Sequence, residues 1–186
     1  MRSSIIVAAL CLLWASVACP YTVDQQNDGS AIGGYWSIPN YTPIGQEFRP
    51  SFDHIDVAEL HVKAMGFSSA PTEFQLDVYE SGGFESPLST SDVVAVTAEH
   101  NGPILFTFPG SVPLTPGDLY VLVIRELHGV NWGMAATGDS YPLGQIVLDG
   151  EPLWHTDAWF REGSLTVPVE LGSWAAIKSL YAGSVR

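Results

Sequence analysis

Cysteine and basic residues are scarce in this chain of 186 residues. Both cysteines, Cys11 and Cys19, lie near the N-terminus, so the rest of the chain cannot form an internal disulfide and must fold on its core alone. Seven Lys and Arg residues stand against twenty Asp and Glu residues, which gives a net charge of −13. Such an acidic excess argues against nucleic acid and anionic lipid as partners.

An apolar run over residues 5–17 follows Arg2 and ends near the small residues Ser16 and Ala18. A basic start, a short apolar run and small residues before the cut are typical of a secretory signal peptide, and the run is too short for a stable membrane span. We therefore expect a signal peptide over residues 1–18 and a protein that works outside the cytoplasm.

Cys19 directly follows this predicted cleavage point. Val17-Ala18-Cys19 fits the sequence at which bacterial lipoproteins are cut and acylated, but Ser16 stands where an aliphatic residue is usual. Two interpretations stay open, a plain secreted start and a lipidated Cys19. Contact with a membrane is expected only through such an anchor.

After the signal peptide, Gly and Pro interrupt the chain at short intervals, and apolar and polar residues alternate between them. In residues 73–80, for example, Phe74, Leu76 and Val78 would share one face of a strand. The same pattern predicts strands near residues 21–24, 45–49, 55–65, 74–80, 92–98, 104–108, 119–126, 131–135, 145–148 and 157–161.

The turns between these segments carry Gly, Pro, Asn and Asp, and no long amphipathic helix competes with the strands. About ten short strands at this spacing favour an all-β, antiparallel β-sandwich of the jelly-roll type, with residues 119–124 as a central strand. We expect this domain over residues 19–163. Residues 164–186 would form a linker and a tail with a short helix near residues 173–181.

Four segments resemble a family of bacterial extracellular β-sandwich domains that are similar to carbohydrate-binding modules and often carry sorting tails. They are Ile44-Gly-Gln-Glu-Phe-Arg-Pro50, Val112-Pro-Leu-Thr-Pro-Gly-Asp-Leu-Tyr-Val121, Tyr141-Pro-Leu-Gly-Gln145 and Asp157-Ala-Trp-Phe-Arg161. The resemblance covers roughly residues 44–161 and rests on turns and strand edges. It implies a sandwich fold and a secreted or cell-envelope location in a bacterium, with glycans or envelope components as partners.

Sugar recognition requires exposed aromatic rings beside polar groups that bind hydroxyls. Trp132 and Trp159 lie on predicted strands, where packing in the core is expected. The candidate ligand-binding rings in or near loops are Tyr35, Trp36, Tyr41, Tyr141 and Trp154.

Oxygen-rich side chains near both ends of the domain suggest a structural Ca²⁺ site. Asp24 and Asp28 lie close together beside Gly29, and the resemblance makes Asp157 their partner from a late strand. His54-x-Asp56 and His155-x-Asp157 would each place an imidazole and a carboxylate on one strand face, a weaker hypothesis for zinc.

Evidence for catalysis is slight. Gly138-Asp139-Ser140 resembles the nucleophile motif of a lipase and esterase family, but none of the five histidines lies three residues after an aspartate. The expected function is a non-catalytic module that binds carbohydrate or the cell envelope. The alternatives are a self-assembling extracellular protein and a small glycosidase with paired carboxylates.

Overall fold

The computed structural model describes residues 21–66, 71–128 and 131–165, and these ranges contain strands and no helix. The strands are β1 (Tyr21–Gln26), β2 (Gly34–Ser37), β3 (Ile44–Phe48), β4 (His54–Ala64), β5 (Thr72–Glu80), β6 (Ser89–Thr90), β7 (Val94–Val96), β8 (Asn101–Pro113), β9 (Tyr120–Glu126), β10 (Trp132–Gly138), β11 (Ile146–Leu148), β12 (Glu151–Leu153), β13 (Thr156–Ala158) and β14 (Phe160–Leu165). The predicted signal peptide, Cys19 and the predicted helix near residues 173–181 lie outside the described residues.

The strands form two sheets of seven strands each. Sheet A runs in the order β1-β14-β4-β10-β13, with β2 paired to β10 and β8 paired to β4. Sheet B runs in the order β12-β11-β3-β9-β5-β6, with β7 also paired to β5. Every strand pair is antiparallel, which confirms the predicted all-β, antiparallel class.

One hydrophobic core lies between the two sheets and draws on both. Phe74 of β5, in sheet B, meets Trp132 of β10, in sheet A, edge to face with ring centroids 5.5 Å apart. Both side chains are fully buried, as expected for Trp132 from its place on a predicted strand. The two sheets thus pack in the manner of a β-sandwich.

Strand β9 is central in sheet B, between β3 and β5, as its continuous apolar sequence predicted. Leu122 and Ile124 enter the main core, whereas Val121 and Val123 belong to a second buried cluster that Phe84 covers. Because both faces of the strand are buried, both sets of alternating residues are apolar.

Several strands differ from the sequence-based boundaries. Strand β8 continues to Pro113, well past the predicted end at residue 108. The register against β4 shifts where residues 108–111 bulge opposite Asp56, so Pro109 interrupts no regular ladder bond. Strand β14 likewise continues to Leu165, beyond the predicted domain boundary at residue 163. The short strands β2, β6 and β12 were not predicted.

Candidate functional site

The most exposed large apolar side chain of the described residues is Trp154, with 73% of its surface open to solvent. It lies in the two-residue connection between β12 of sheet B and β13 of sheet A. His155 follows it with a left-handed φ of 63°, and His155 Nδ1 lies 2.9 Å from Asp139 Oδ2. The connection is therefore held at its base while the indole points away from the core.

A groove of about 290 Å³ lies beside this indole and is called the Trp154 groove below. Its polar side chains belong to Glu47, Arg49, Asp139 and Gln145, and Leu143 adds an exposed apolar side chain. Aromatic surface beside convergent donors and acceptors is the composition expected of a small-molecule or sugar site.

Glu47 and Arg49 occupy the β3 side of the groove. Partial burial raises the pKa of Glu47, an effect that a Gln145 backbone hydrogen bond and the nearby Arg49 charge oppose. The Arg49 guanidinium donates to the Gly117 carbonyl at 2.7 Å, which fixes its position. The groove thus offers both an acceptor and a positioned donor.

A close backbone approach joins β3 to the loop of residues 144–145 that lines the groove. The Glu47 backbone N–H donates to the Gln145 carbonyl at 2.9 Å. At Gly144, a Cβ atom would lie 2.2 Å from the Glu47 carbonyl oxygen, so only glycine allows the loop to come this near.

Tyr141 forms the floor of the groove rather than a stacking surface, because its side chain is buried. Its ring meets Phe160 edge to face at 4.9 Å, and its hydroxyl donates to Gln25 Oε1 at 3.3 Å and accepts the Arg49 N–H at 3.3 Å. Burial raises the pKa of Tyr141 to about 12. The phenol therefore stays neutral and serves as support.

Asp157 lies beneath Tyr141 and is fully buried. Its Oδ2 accepts the backbone N–H groups of Ser140 and Tyr141, each at 2.8 Å, and Gln46 Nε2 approaches Oδ1 at 3.5 Å. Burial raises the pKa of Asp157, which these hydrogen bonds partly offset. This carboxylate holds the loop that carries Asp139.

The predicted calcium ligands contact three separate sets of donors. Asp24 accepts the backbone N–H groups of Ser51 and Phe52 at 2.7 and 2.9 Å. Asp28 pairs with Arg161 at 2.6 Å, whereas Asp157 faces the groove floor. Nowhere in residues 21–66, 71–128 and 131–165 do three His, Cys, Asp or Glu side chains converge as a metal site requires. The calcium site stays a prediction.

The two predicted His–Asp pairs differ from each other. His54 Nε2 lies 3.6 Å from Asp56 Oδ2, as the strand pattern suggested. His155 contacts Asp139 instead of Asp157, because the left-handed backbone at residue 155 breaks the strand alternation.

The other three candidate rings lie on or just after β2, and all are half-buried. Trp36 and Tyr41 meet edge to face at 5.1 Å and pack against the main core. Tyr35 points to the opposite face, where its hydroxyl lies 3.2 Å from both His61 Nε2 and Asn101 Oδ1. The five candidate rings are therefore not gathered in one place.

Sequence reasoning missed the polar residues of the Trp154 groove. Glu47 and Arg49 alternate with buried residues at the end of β3, and apart from that alternation they stood out only within the segment that resembles the sandwich-domain family. Asp139 stood out only within a hydrolase-like motif. Their meeting with Trp154 depends on how the sheets pack.

Within the described residues, no helix has the length and apolar character needed to cross a membrane.

Comparison with known proteins gives this chain no family. No family model matches it. No curated protein matches it either.

Proposed function

We propose that this protein is a secreted or surface-attached β-sandwich module that binds a glycan in the Trp154 groove. The observation that carries the proposal is the 73% exposed indole of Trp154 beside a groove with polar side chains. Trp154 would stack on the face of a sugar ring. Glu47, Arg49, Asp139 and Gln145 would bind its hydroxyls.

The contrast between Trp154 and the other described tryptophans supports this role. Trp132 and Trp159 are buried and Trp36 is half-buried, so these three indoles pack inside the protein and stabilise its fold. The exposed indole of Trp154 contributes little packing to the free protein, and its place beside a polar groove makes it available to a ligand.

The connectivity also supports a jelly-roll module of the carbohydrate-binding type. Along the chain, β1, β4, β8, β10 and β14 of sheet A alternate with β3, β5, β9 and the three-residue strand β11 of sheet B. Together with the predicted signal peptide, this topology favours a binding module that works outside the cell.

Isothermal titration tests the proposal once a glycan array has identified a ligand. Trp154→Ala should weaken binding at least about tenfold, which is about 1.4 kcal/mol, while Trp154→Phe should retain most of the affinity because a ring remains. Leu88→Ala is the matched control, since Leu88 is also an exposed apolar residue but lies outside the groove.

Two results would contradict the proposal. One is an array of plant, animal and bacterial glycans on which the wild-type protein binds nothing. The other is a Trp154→Ala variant that binds the identified glycan as tightly as the wild type.

A further inference from the structure

A second set of polar side chains has the geometry of an activated serine. Ser164 Oγ on β14 lies 2.6 Å from His54 Nε2 at the start of β4. On the other side of the ring, His54 Nδ1 lies 2.6 Å from Asp53 Oδ1. The imidazole of His54 thus lies within hydrogen-bonding distance of both a serine hydroxyl and a carboxylate. This is the arrangement of a nucleophile, its base and the group that orients the base.

The sheet brings these residues together from distant parts of the chain. Strand β14 pairs with β4 through Gly163 and Val57, which places Ser164 beside the N-terminal end of β4. A hydrogen bond from the imidazole lowers the pKa of Asp53 and keeps it a carboxylate. With the imidazole proton on Nδ1, Nε2 would be an acceptor 2.6 Å from Ser164 Oγ.

A shallow, mostly apolar depression of about 340 Å³ lies beside this group. Thr22, Phe52 and Leu165 line it together with Ser164 and His54. A depression of this size next to a nucleophile could cover one side of a short apolar acyl chain.

Asp56 limits what the serine can attack. Ser164 Oγ donates to its Oδ2 at 2.9 Å, and the same oxygen accepts the Leu165 N–H at 2.9 Å, so the hydroxyl proton must turn from Asp56 to His54 Nε2 before the serine can attack. The backbone donor next to the nucleophile is therefore already engaged and does not stabilise an oxyanion. We expect reaction with activated esters, which have good leaving groups, and none with amides.

We propose that Ser164, His54 and Asp53 form an acyl-transfer site that accepts short apolar acyl groups from activated esters. Ser164 Oγ bonds to the carbonyl carbon while His54 Nε2 takes the hydroxyl proton. The ester C–O bond then breaks, and the alcohol leaves with that proton from His54. Water attacks the acyl-serine in the same way, which releases the acid and restores Ser164.

A fluorophosphonate probe and p-nitrophenyl butyrate test this site in the full secreted chain. In the probe reaction, a Ser164 O–P bond replaces the P–F bond and fluoride leaves. We expect one adduct per chain, mapped to Ser164 by peptide mass spectrometry. Hydrolysis of the ester should exceed the buffer rate, and Ser164→Ala and His54→Gln should each return it to that rate.

Ser111→Ala is the matched control, because Ser111 donates to Oδ1 of the same Asp56 at 2.5 Å but, within the described residues, forms no hydrogen bond with Ser164 or His54. It should keep both labelling and hydrolysis. Asp53 acts as a positioning residue, so Asp53→Asn should slow labelling at least about tenfold and Asp53→Glu should restore most of the rate.

The proposal is overturned if the wild-type protein takes no adduct at Ser164. It is equally overturned if Ser164→Ala hydrolyses the ester as fast as the wild type, or if Ser111→Ala loses labelling to the same extent as Ser164→Ala.

Discussion

Replacing Glu162 with glutamine should stabilise the protein at neutral pH. Glu162 lies on β14 with its side chain fully buried, beside the Gln25 backbone N–H and the Asp24 carboxyl group. A bulge in β1 between Val23 and Gln25 places Asp24 beside it. Burial, followed by the charge of Asp24, raises the pKa of Glu162 to about 9.

The sign of the effect follows from proton linkage. The pKa of Glu162 is 4.5 in its ordinary state and about 9 in the fold, so the folded protein holds a proton that the unfolded chain releases above pH 4.5. The contribution of Glu162 to stability is therefore fully present below pH 4.5 and is lost as the pH rises towards 9. The loss is about 1.4 kcal/mol per pH unit, or about 3 kcal/mol by pH 7.

Glu162→Gln removes this dependence because glutamine is neutral at every pH and can still donate to Asp24. Urea unfolding of both proteins at pH 4.5 and pH 7 measures the effect. The free energy of unfolding of Glu162→Gln minus that of the wild type should be about 3 kcal/mol larger at pH 7 than at pH 4.5. Glu80→Gln, at an exposed position, is the control and should show no such rise. A difference between variant and wild type that does not change with pH would refute the reasoning.

Three further substitutions can be checked by thermal unfolding. Gly163→Ala should destabilise by about 1–3 kcal/mol, because its Cβ would lie 2.0 Å from the Thr22 carbonyl oxygen, whereas Gly34→Ala meets nothing within 4 Å and should change little. Asp157→Ala should cost about 2 kcal/mol or more, since it leaves two backbone N–H groups without their acceptor. Trp36→Ala should cost about 2 kcal/mol through lost packing, against less than about 0.5 kcal/mol for exposed Trp154→Ala.

Local alternation was enough to predict the longer strands, because each buries one face against a common core. Strand β5 shows this directly, with Phe74, Leu76 and Val78 all buried. Strands β2 and β12 left no such pattern, since each has four residues or fewer and contains Gly or Pro. Strand β2 exists because β10 supplies a ladder, and no local pattern encodes that pairing, whereas the Asp149-Gly150 turn between β11 and β12 is a local signal for a hairpin.

The candidate site was predictable only in part. Trp154 was expected near a loop, and the structure places it at a connection between strands. Tyr141 was assigned to the same class of exposed rings but is buried, because Gln25 and Asp157 from distant segments bind its hydroxyl and backbone. Contacts between residues so far apart in the chain leave no signal in spacing or periodicity.

The indole N–H resonances test glycan binding at Trp154 most directly. The chain from residue 19 onward contains five tryptophans, so a ¹⁵N-labelled sample should give five indole signals, and Trp154→Phe identifies the one that belongs to Trp154. On addition of the glycan found by the array, this signal should shift most while those of Trp36 and Trp132 stay in place. A bound glycan that leaves the Trp154 signal unmoved would contradict the proposed site.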